Sequence, residues 1–177
     1  YAWEAGSMCV NNLGTVASDN VDNMSFFSRK QPITSPLSEN PSPTISFDAS
    51  KTYIAFIIGD GDNLSFVQET RRRWMEERVA RCSAATTEDE RKLLCFPLLW
   101  SMSSHLLYMA PEILLWYHEQ LMITGYDYFV LPPSGYLYSY PSLMPRVVQS
   151  QFREQTEKDC VLLNTNGIVG WEIVASW

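Results

Sequence analysis

The sequence is poor in basic residues and has no long apolar run. Its 13 Lys and Arg residues are outnumbered by 20 Asp and Glu residues, which gives a formal net charge of −7. Proteins that bind phosphates need clustered positive charge, so we expect neither nucleic acid nor an anionic membrane as a partner. The longest apolar run that reads as a strand, residues 53–58, is far shorter than the ~18 residues that cross a bilayer. The sequence therefore predicts no membrane-spanning segment.

Residues of the common metal and nucleophile motifs are also scarce. The only two histidines, His105 and His118, lack the spacing of zinc sites, so we expect no metal and no cofactor. The four cysteines form no Cys-x-x-Cys pair and no serine lies in Gly-x-Ser-x-Gly, which leaves thiol redox and nucleophile-elbow chemistry unsupported. Cys82 and Cys95 bracket a polar stretch, where either a disulfide or two buried free thiols would fit.

The length and composition indicate a folded domain. The chain has 177 residues, 46% of them hydrophobic, which is enough for one domain with a substantial core. It begins at Tyr1 without a methionine or a leader, so we expect a mature product or an excised piece. Residues 31–51 contain four prolines and five serines and are predicted to form a loop. Residues 1–30 are predicted to supply one further strand, at residues 9–16.

Strand-like and helix-like segments alternate after this loop. Strands are predicted at residues 52–58, 94–101, 128–131 and 160–163, and helices at residues 63–81, 111–122 and 142–158. The first strand reads as buried on both faces, and the first helix has Leu64, Val67, Trp74 and Val79 near one side, with Asp62 or Asn63 as its cap. This order predicts an α/β fold with a parallel sheet, either an open sheet or part of a (β/α) barrel.

In both architectures ligands bind beyond the carboxyl ends of the strands. The residues predicted there are acidic, polar or aromatic and include no Lys or Arg: Asp60, Asp62, Trp100, Ser101, Ser103, Ser104, His105, Ser134, Tyr136, Tyr138, Tyr140, Asn164 and Asn166. This set suits a neutral, polyhydroxylated ligand better than a phosphate.

Asp60 and Asp62 carry the strongest chemical signal. Two carboxylates two positions apart on an extended strand end point to the same side and compete for ionisation, so they can divide acid and base roles. Two other interpretations stay open. Asp62 could cap the next helix while Asp60 turns the loop, or the Asp-x-Asp-Asn oxygens could hold calcium or magnesium.

A second signal is the alternation of Tyr136, Tyr138 and Tyr140. In an extended segment these rings would line one face and form a platform that stacks on a ligand. The alternative is a rigid connection whose tyrosines pack on neighbouring loops.

Residues 135–141 resemble the signature of the GxGYxYP putative glycoside hydrolase family. Gly135, Tyr138, Tyr140 and Pro141 match the pattern, and Leu137 stands where the second glycine belongs. The resemblance extends over most of residues 20–175. Its other elements are the Asp60-Gly61-Asp62-Asn63 segment, the Trp-x-x-Ser then Ala-Pro stretch within residues 100–117, and Asn23-Met24-Ser25.

The resemblance implies a TIM-barrel-like catalytic domain, commonly found in secreted proteins, with a carbohydrate substrate. Residues 52–177 would form (β/α) repeats of that barrel, residues 1–30 a further strand region, and the remainder of a parent barrel domain would be a partner. Leu137 brings the ligand pose into question, since a glycine there would permit a closer backbone approach.

Three functional hypotheses follow. In the first, a glycosidase, Asp60 and Asp62 are catalytic, Trp100, Tyr138 and Tyr140 stack on sugar rings, and Asn63 and Ser134 bind hydroxyls. Glu172 is a candidate for a distant second carboxylate. The second hypothesis is a noncatalytic sugar-binding module, and the third is a domain with a structural divalent cation at Asp60 and Asp62.

Overall fold

The fold is built around a small parallel sheet. The computed structural model describes residues 30–38, 40, 46–165 and 167–170. Strands β1 (Ile57–Ile58), β2 (Leu98–Ser101) and β3 (Asp127–Val130) lie side by side in that order, and both pairs are parallel. A parallel bridge between Leu131 and Ile168 continues the pairing beyond β3. The predicted α/β class and the parallel strand direction are confirmed.

Helices separate the strands, as the alternating pattern predicts. They are α1 (Leu64–Phe66), a π-helical turn (Val67–Arg71), α2 (Arg72–Ala84), α3 (Glu88–Leu94), α4 (Leu106–Met109), α5 (Pro111–Thr124), a 3-10 turn (Pro141–Leu143) and α6 (Arg146–Leu163). Local signals explain several ends. Asn63 caps α1 through its side-chain oxygen, Pro111 opens α5, and Gly125 ends α5 in the left-handed region at φ 70°. None of the described helices is both long and apolar enough to cross a membrane.

The core lies between the sheet and helices α2, α5 and α6. Leu107, Leu114 and Leu131 are fully buried in it. The Tyr117 hydroxyl of α5 donates a hydrogen bond to the Val67 carbonyl at 2.6 Å. This bond fixes α5 against the π-helical turn, directly behind the loop that follows β1.

The first strand is shorter and more exposed than predicted. Regular pairing covers only Ile57–Ile58, and Ile54 is 74% exposed. The prediction of a strand buried on both faces is wrong for this structure. β1 has β2 as a neighbour on one side only, and its residue Ile57 is 46% exposed.

The fourth predicted strand is wrong. Residues 160–163 form the last turn of α6, which also begins later than expected, after Pro145. A short apolar run such as Val161-Leu162-Leu163 fits a helix as well as a strand, and here Leu162 and Leu163 continue the buried face of α6. The pairing expected of a fourth strand occurs at Ile168 instead.

The buried face of the helical segment 64–84 also differs from the prediction. Its buried residues are Val67, Arg71, Met75, Arg78 and Cys82, whereas Trp74 is 44% exposed. Arg71 and Arg78 are thus buried, although charged residues are normally expected on the exposed face of a helix. Arg78 is accommodated by an ion pair with Asp127 at 2.8 Å.

The polar stretch between α2 and β2 contains a helix that the prediction missed. Thr87 and Glu90 form a reciprocal capping box at the start of α3. Cys82 and Cys95 form a disulfide across this helix, which decides between the two interpretations of that pair. The strand predicted from residue 94 begins only at Leu98, because residue 94 ends α3 and residues 95–97 belong to neither element.

The described residues establish an α/β fold, and a closed barrel is not observed among them. Residues 30–38 and 46–51 contain no helix or strand, as expected for the Pro/Ser-rich loop. The strand predicted at residues 9–16, Asn23-Met24-Ser25, Asn166 and Glu172 lie outside the described residues.

Candidate functional site

Three loops meet at the carboxyl edge of the sheet. The loop after β1 contacts the loop after β2, because the Ser103 amide donates to the Gly61 carbonyl at 3.0 Å. The loop after β2 contacts β3 and its loop, through the Met102 amide and the Val130 carbonyl at 2.9 Å and through the His105 and Tyr136 rings, 4.9 Å apart. This edge therefore assembles most of the residues predicted to form a site.

The loop after β1 is a tight turn rather than an extended strand end. Asp60 adopts the left-handed region at φ 57°, and its carbonyl accepts the Asn63 amide at 3.3 Å. The strand alternation that would place Asp60 and Asp62 on one side does not apply to this turn. Asp60 is exposed and Asp62 is half-buried, so the two carboxylates have different surroundings.

Asn63, and not Asp62, caps the following helix. Its Oδ1 accepts the Phe66 amide at 3.1 Å and the Ser65 hydroxyl at 3.0 Å. The alternative in which Asp60 turns the loop and Asp62 caps the helix is therefore confirmed for Asp60 and wrong for Asp62. The Asn63 amide oxygen therefore has a structural task at the start of α1.

Gly61 allows this turn to lie against β2. A Cβ at this position would fall 1.8 Å from the Ser101 carbonyl oxygen. The Gly61 amide also donates to the Ser101 hydroxyl at 3.1 Å. Ser101 therefore fixes the backbone of the Asp60-Gly61-Asp62 turn.

The tyrosines after β3 do not share one face. Tyr138 is 44% exposed and Tyr140 is half-buried, whereas Tyr136 packs edge-on against the His105 ring. Burial, assisted by the negative charge of Asp159, raises the pKa of Tyr136. The alternation thus leaves Tyr138 as the most open ring of the segment.

Two other predicted ligand-binding residues are buried. Trp100 is 2% exposed, and its indole nitrogen donates to Asp127 Oδ2 at 3.3 Å, so its ring offers no open face. Ser134 is buried, and its amide closes the turn by donating to the Leu137 carbonyl at 3.0 Å. Neither side chain is therefore open to a ligand at this edge.

Asn164 lies at the opposite edge of the sheet from the place predicted for it. It ends α6 in the left-handed region at φ 52°, and its side chain donates to the Leu37 carbonyl at 3.0 Å. The prediction placed Asn164 after a fourth strand, and that segment is helical.

The sequence reading missed a buried network next to the site. Asp159 of α6 is fully buried, and its Oδ1 accepts the Tyr108 hydroxyl at 2.7 Å and the Gln155 amide at 2.8 Å. Burial, and then the hydrogen bond to Asp159, raises the pKa of Tyr108 to about 12. No short motif signals this network, because its members lie 51 positions apart.

The reading also missed Arg71. Its side chain is fully buried behind the Asp60-Gly61-Asp62 turn, with the guanidinium carbon 5.5 Å from the centre of the Trp100 ring. Arg71 lies in a π-helical turn, a feature that occurs frequently at functional sites. The residue pattern of the sequence does not reveal this turn.

Within the described part of the chain, no group of three or more His, Cys, Asp or Glu side chains is arranged to hold a metal ion. The acidic, polar and aromatic residues instead line the carboxyl edge of a parallel sheet, the place where α/β enzymes bind ligands. Fold and site together define an α/β domain with a small parallel sheet and a polar, acidic carboxyl edge.

Comparison with known proteins identifies the family. The model of the GxGYxYP putative glycoside hydrolase C-terminal domain matches residues 50–166, which is more than half of the chain, so the chain belongs to this family. A comparison with curated proteins found no match.

A solved structure supports the fold. The crystal structure of a putative hydrolase from Bacteroides thetaiotaomicron VPI-5482 superposes with a TM-score of 0.67 and 22% sequence identity. The alignment covers 88% of this chain and 28% of that protein. This chain therefore spans little more than a quarter of the length of the protein it resembles.

Proposed function

We propose that this chain carries the carboxylate-bearing, sugar-binding edge of a glycoside hydrolase. The observation that carries the proposal is the meeting of the Asp60-Gly61-Asp62 turn and the Tyr138 loop at one edge of the sheet, with the loop after β2 in contact with both. Membership of the GxGYxYP putative glycoside hydrolase family supports the same proposal.

Asp60 and Asp62 would supply the acid and base or nucleophile. Glycosidic cleavage uses two carboxyl groups separated by about 5 to 9.5 Å, with one protonated and the other ionised. Asp60 is exposed and Asp62 is half-buried, so the two carboxyl groups lie in different surroundings.

Tyr138 would stack on a sugar ring, while Tyr140 and the Asn63 amide group would donate to sugar hydroxyls. The loops after β1 and β3 are separated by two strand spacings, or about 10 Å. A carbohydrate chain extends over that distance, so an oligosaccharide fits the site better than a single ion.

The test is turnover of a panel of oligosaccharides by the full chain and by the double variant Asp60→Asn/Asp62→Asn. We expect turnover to fall at least 100-fold in the double variant, because acid–base catalysis contributes about 10² to 10⁴. Tyr138→Ala should weaken binding, and Tyr53→Ala, an exposed tyrosine away from the edge, is the matched control. Unchanged turnover in the double variant would refute the assignment.

A noncatalytic sugar-binding module is the second candidate. It is favoured by one observation, that residues 59–63, 101–105 and 131–140 contain no carboxylate other than Asp60 and Asp62. In that case the same glycan would bind with the same Tyr138 dependence, and no cleavage product would form.

We also propose that the chain works with the remainder of a larger barrel domain in an extracellular protein. The exposed apolar side chains around β1, such as Ile54 and Phe56, are the surface that such a remainder would cover. The Cys82–Cys95 disulfide is typical of oxidising compartments. Immunodetection of the parent protein in the culture medium rather than in cell lysate tests the location.

A further inference from the structure

Arg71 is a buried arginine that lies behind the proposed carboxylate pair. Its side chain is 0% exposed, and none of its three guanidinium nitrogens has a hydrogen-bond partner among the described residues. An ionised group buried without such partners is costly and persists only where another interaction compensates it. The surroundings of Arg71 must therefore supply that compensation.

The packing places the guanidinium directly under Gly61. A Cβ on Gly61 would lie 2.5 Å from Arg71 Nη1, closer than any real contact. Asp60 and Asp62 flank Gly61 on either side in the chain, so the cation lies behind the middle of the acidic turn. The π-helical turn Val67–Arg71 brings the side chain to this position.

The groups that face Arg71 identify the source of the compensation. Burial lowers the pKa of Arg71 to about 10, so it stays protonated at neutral pH. The interactions with Tyr117, where that hydroxyl is ionised, and with Asp60 and Asp62 act in the opposite direction. Tyr117 is itself neutral, because burial raises its pKa. The Trp100 ring adds a cation–π contact at 5.5 Å. At neutral pH the negative charges of Asp60 and Asp62 therefore favour the protonated form of Arg71.

We infer that Arg71 is a positioning residue for the Asp60–Asp62 pair, a built-in countercharge that holds the turn and both carboxylates at the carboxyl edge of the sheet. The inference rests on the proposed function for its catalytic meaning. It also makes the turn a poor site for a divalent cation, because the guanidinium would repel Ca²⁺ or Mg²⁺.

A double-mutant cycle on the full chain tests this role. Unfolding midpoints are measured for the wild type, Asp60→Asn/Asp62→Asn, Arg71→Met and the combined variant. We expect the loss of the two carboxylates to lower the midpoint by several degrees when Arg71 is present and by less than one degree when Met replaces it. Arg71→Lys, which keeps the charge, should restore most of the coupling.

Arg72→Met is the matched control, since Arg72 is the next residue along and is exposed. It should leave the coupling and the amide NMR shifts of residues 59–63 unchanged, whereas Arg71→Met should move those shifts. Equal effects of the carboxylate changes in both backgrounds would overturn the inference. Saturable heat on titrating CaCl₂ into the wild type would overturn it as well.

The cycle needs no glycan, so it can fail independently of the proposed function. If the midpoint changes are additive but glycan turnover depends on Asp60 and Asp62, only the role inferred for Arg71 is refuted. If the cycle shows coupling between Arg71 and the two carboxylates but no glycan is cleaved, the countercharge role of Arg71 stands and the hydrolase assignment is refuted.

Discussion

At the scale of single residues, the candidate site depends on close backbone approach. Glycine is the only residue type that can lie against the Ser101 carbonyl at position 61. Asp60, which precedes it, has a positive φ. The Asp60-Gly61-Asp62 segment therefore requires a glycine between its two acids for steric reasons. This glycine allows the acids to sit at the edge of the sheet.

We predict that Gly61→Ala is strongly destabilising. The new Cβ would fall 1.8 Å from a backbone oxygen that cannot move freely, and overpacking of this kind costs about 1 to 3 kcal/mol or more. Chemical denaturation of the full chain measures the loss. Gly59→Ala, where no atom lies within 4 Å, is the control and should cost under about 1 kcal/mol; equal losses at the two positions would disprove the close-approach explanation.

A second prediction at this scale concerns pH. The pKa of Tyr108 in the folded chain is about 12, whereas an unfolded tyrosine titrates near 10. The folded state therefore holds this proton more tightly, so its contribution to stability is complete below pH 10 and is lost as the pH rises to 12. The free energy of unfolding should fall over this interval.

Tyr108→Phe removes the titrating group and should flatten part of that decline. Unfolding free energies at several pH values between 9 and 12 give the comparison. An identical decline in wild type and variant would show that the Tyr108–Asp159 contact at 2.7 Å does not control the titration.

At the scale of elements, helix α2 is tied to the sheet by polar as well as apolar groups. Arg78 contacts both carboxylate oxygens of Asp127, at 2.8 and 3.1 Å, and also donates to the Leu94 and Phe96 carbonyls. Asp127 accepts the Trp100 indole as well. One ion pair thus links α2, the end of α3, β2 and β3.

We predict that Arg78→Ala destabilises the chain by about 3 to 5 kcal/mol, because it leaves the buried Asp127 carboxylate without its partner. Arg81→Ala, which removes an exposed pair with Glu77 at 3.6 Å, should cost no more than about 1 kcal/mol. Urea denaturation of both variants measures the difference. A loss at Arg78 as small as that at Arg81 would mean that the buried pair is not a principal link.

Elements whose signals are local could be predicted from the sequence. The Asn63 cap, Pro111 and Gly125 mark helix ends within a few residues, and the alternation of segments predicts parallel strands. The burial of Arg78 could not be predicted in the same way, because its partner Asp127 lies 49 positions away. The same holds for Arg71, whose burial depends on a turn after β1.

Errors in the prediction share a physical cause. Residues 160–163 and 53–58 are both apolar runs, and a run of that length does not reveal whether it is a helix or a strand, or whether a second layer covers it. Burial is decided by what packs against the segment. The exposure of Trp100 was predicted wrongly in the opposite sense: this aromatic at a strand end was expected to face a ligand, and it packs into the core.

At the scale of the whole molecule, the parallel sheet separates the buried ion pair at one end from the proposed site at the other. The Arg78–Asp127 pair lies at the end where β3 begins, whereas Asp60, Asp62 and Tyr138 lie beyond the carboxyl ends of β1 and β3. This division agrees with the general rule for α/β folds. It is also the central claim of the proposed function, because it says where a glycan would bind.

The most direct test is an NMR map of the full chain titrated with the oligosaccharide that binds best in the panel. The account predicts that amide shift changes cluster in residues 59–63, 101–105 and 132–140. Changes centred instead on the opposite edge, around Ser38 and Asn164, would contradict it.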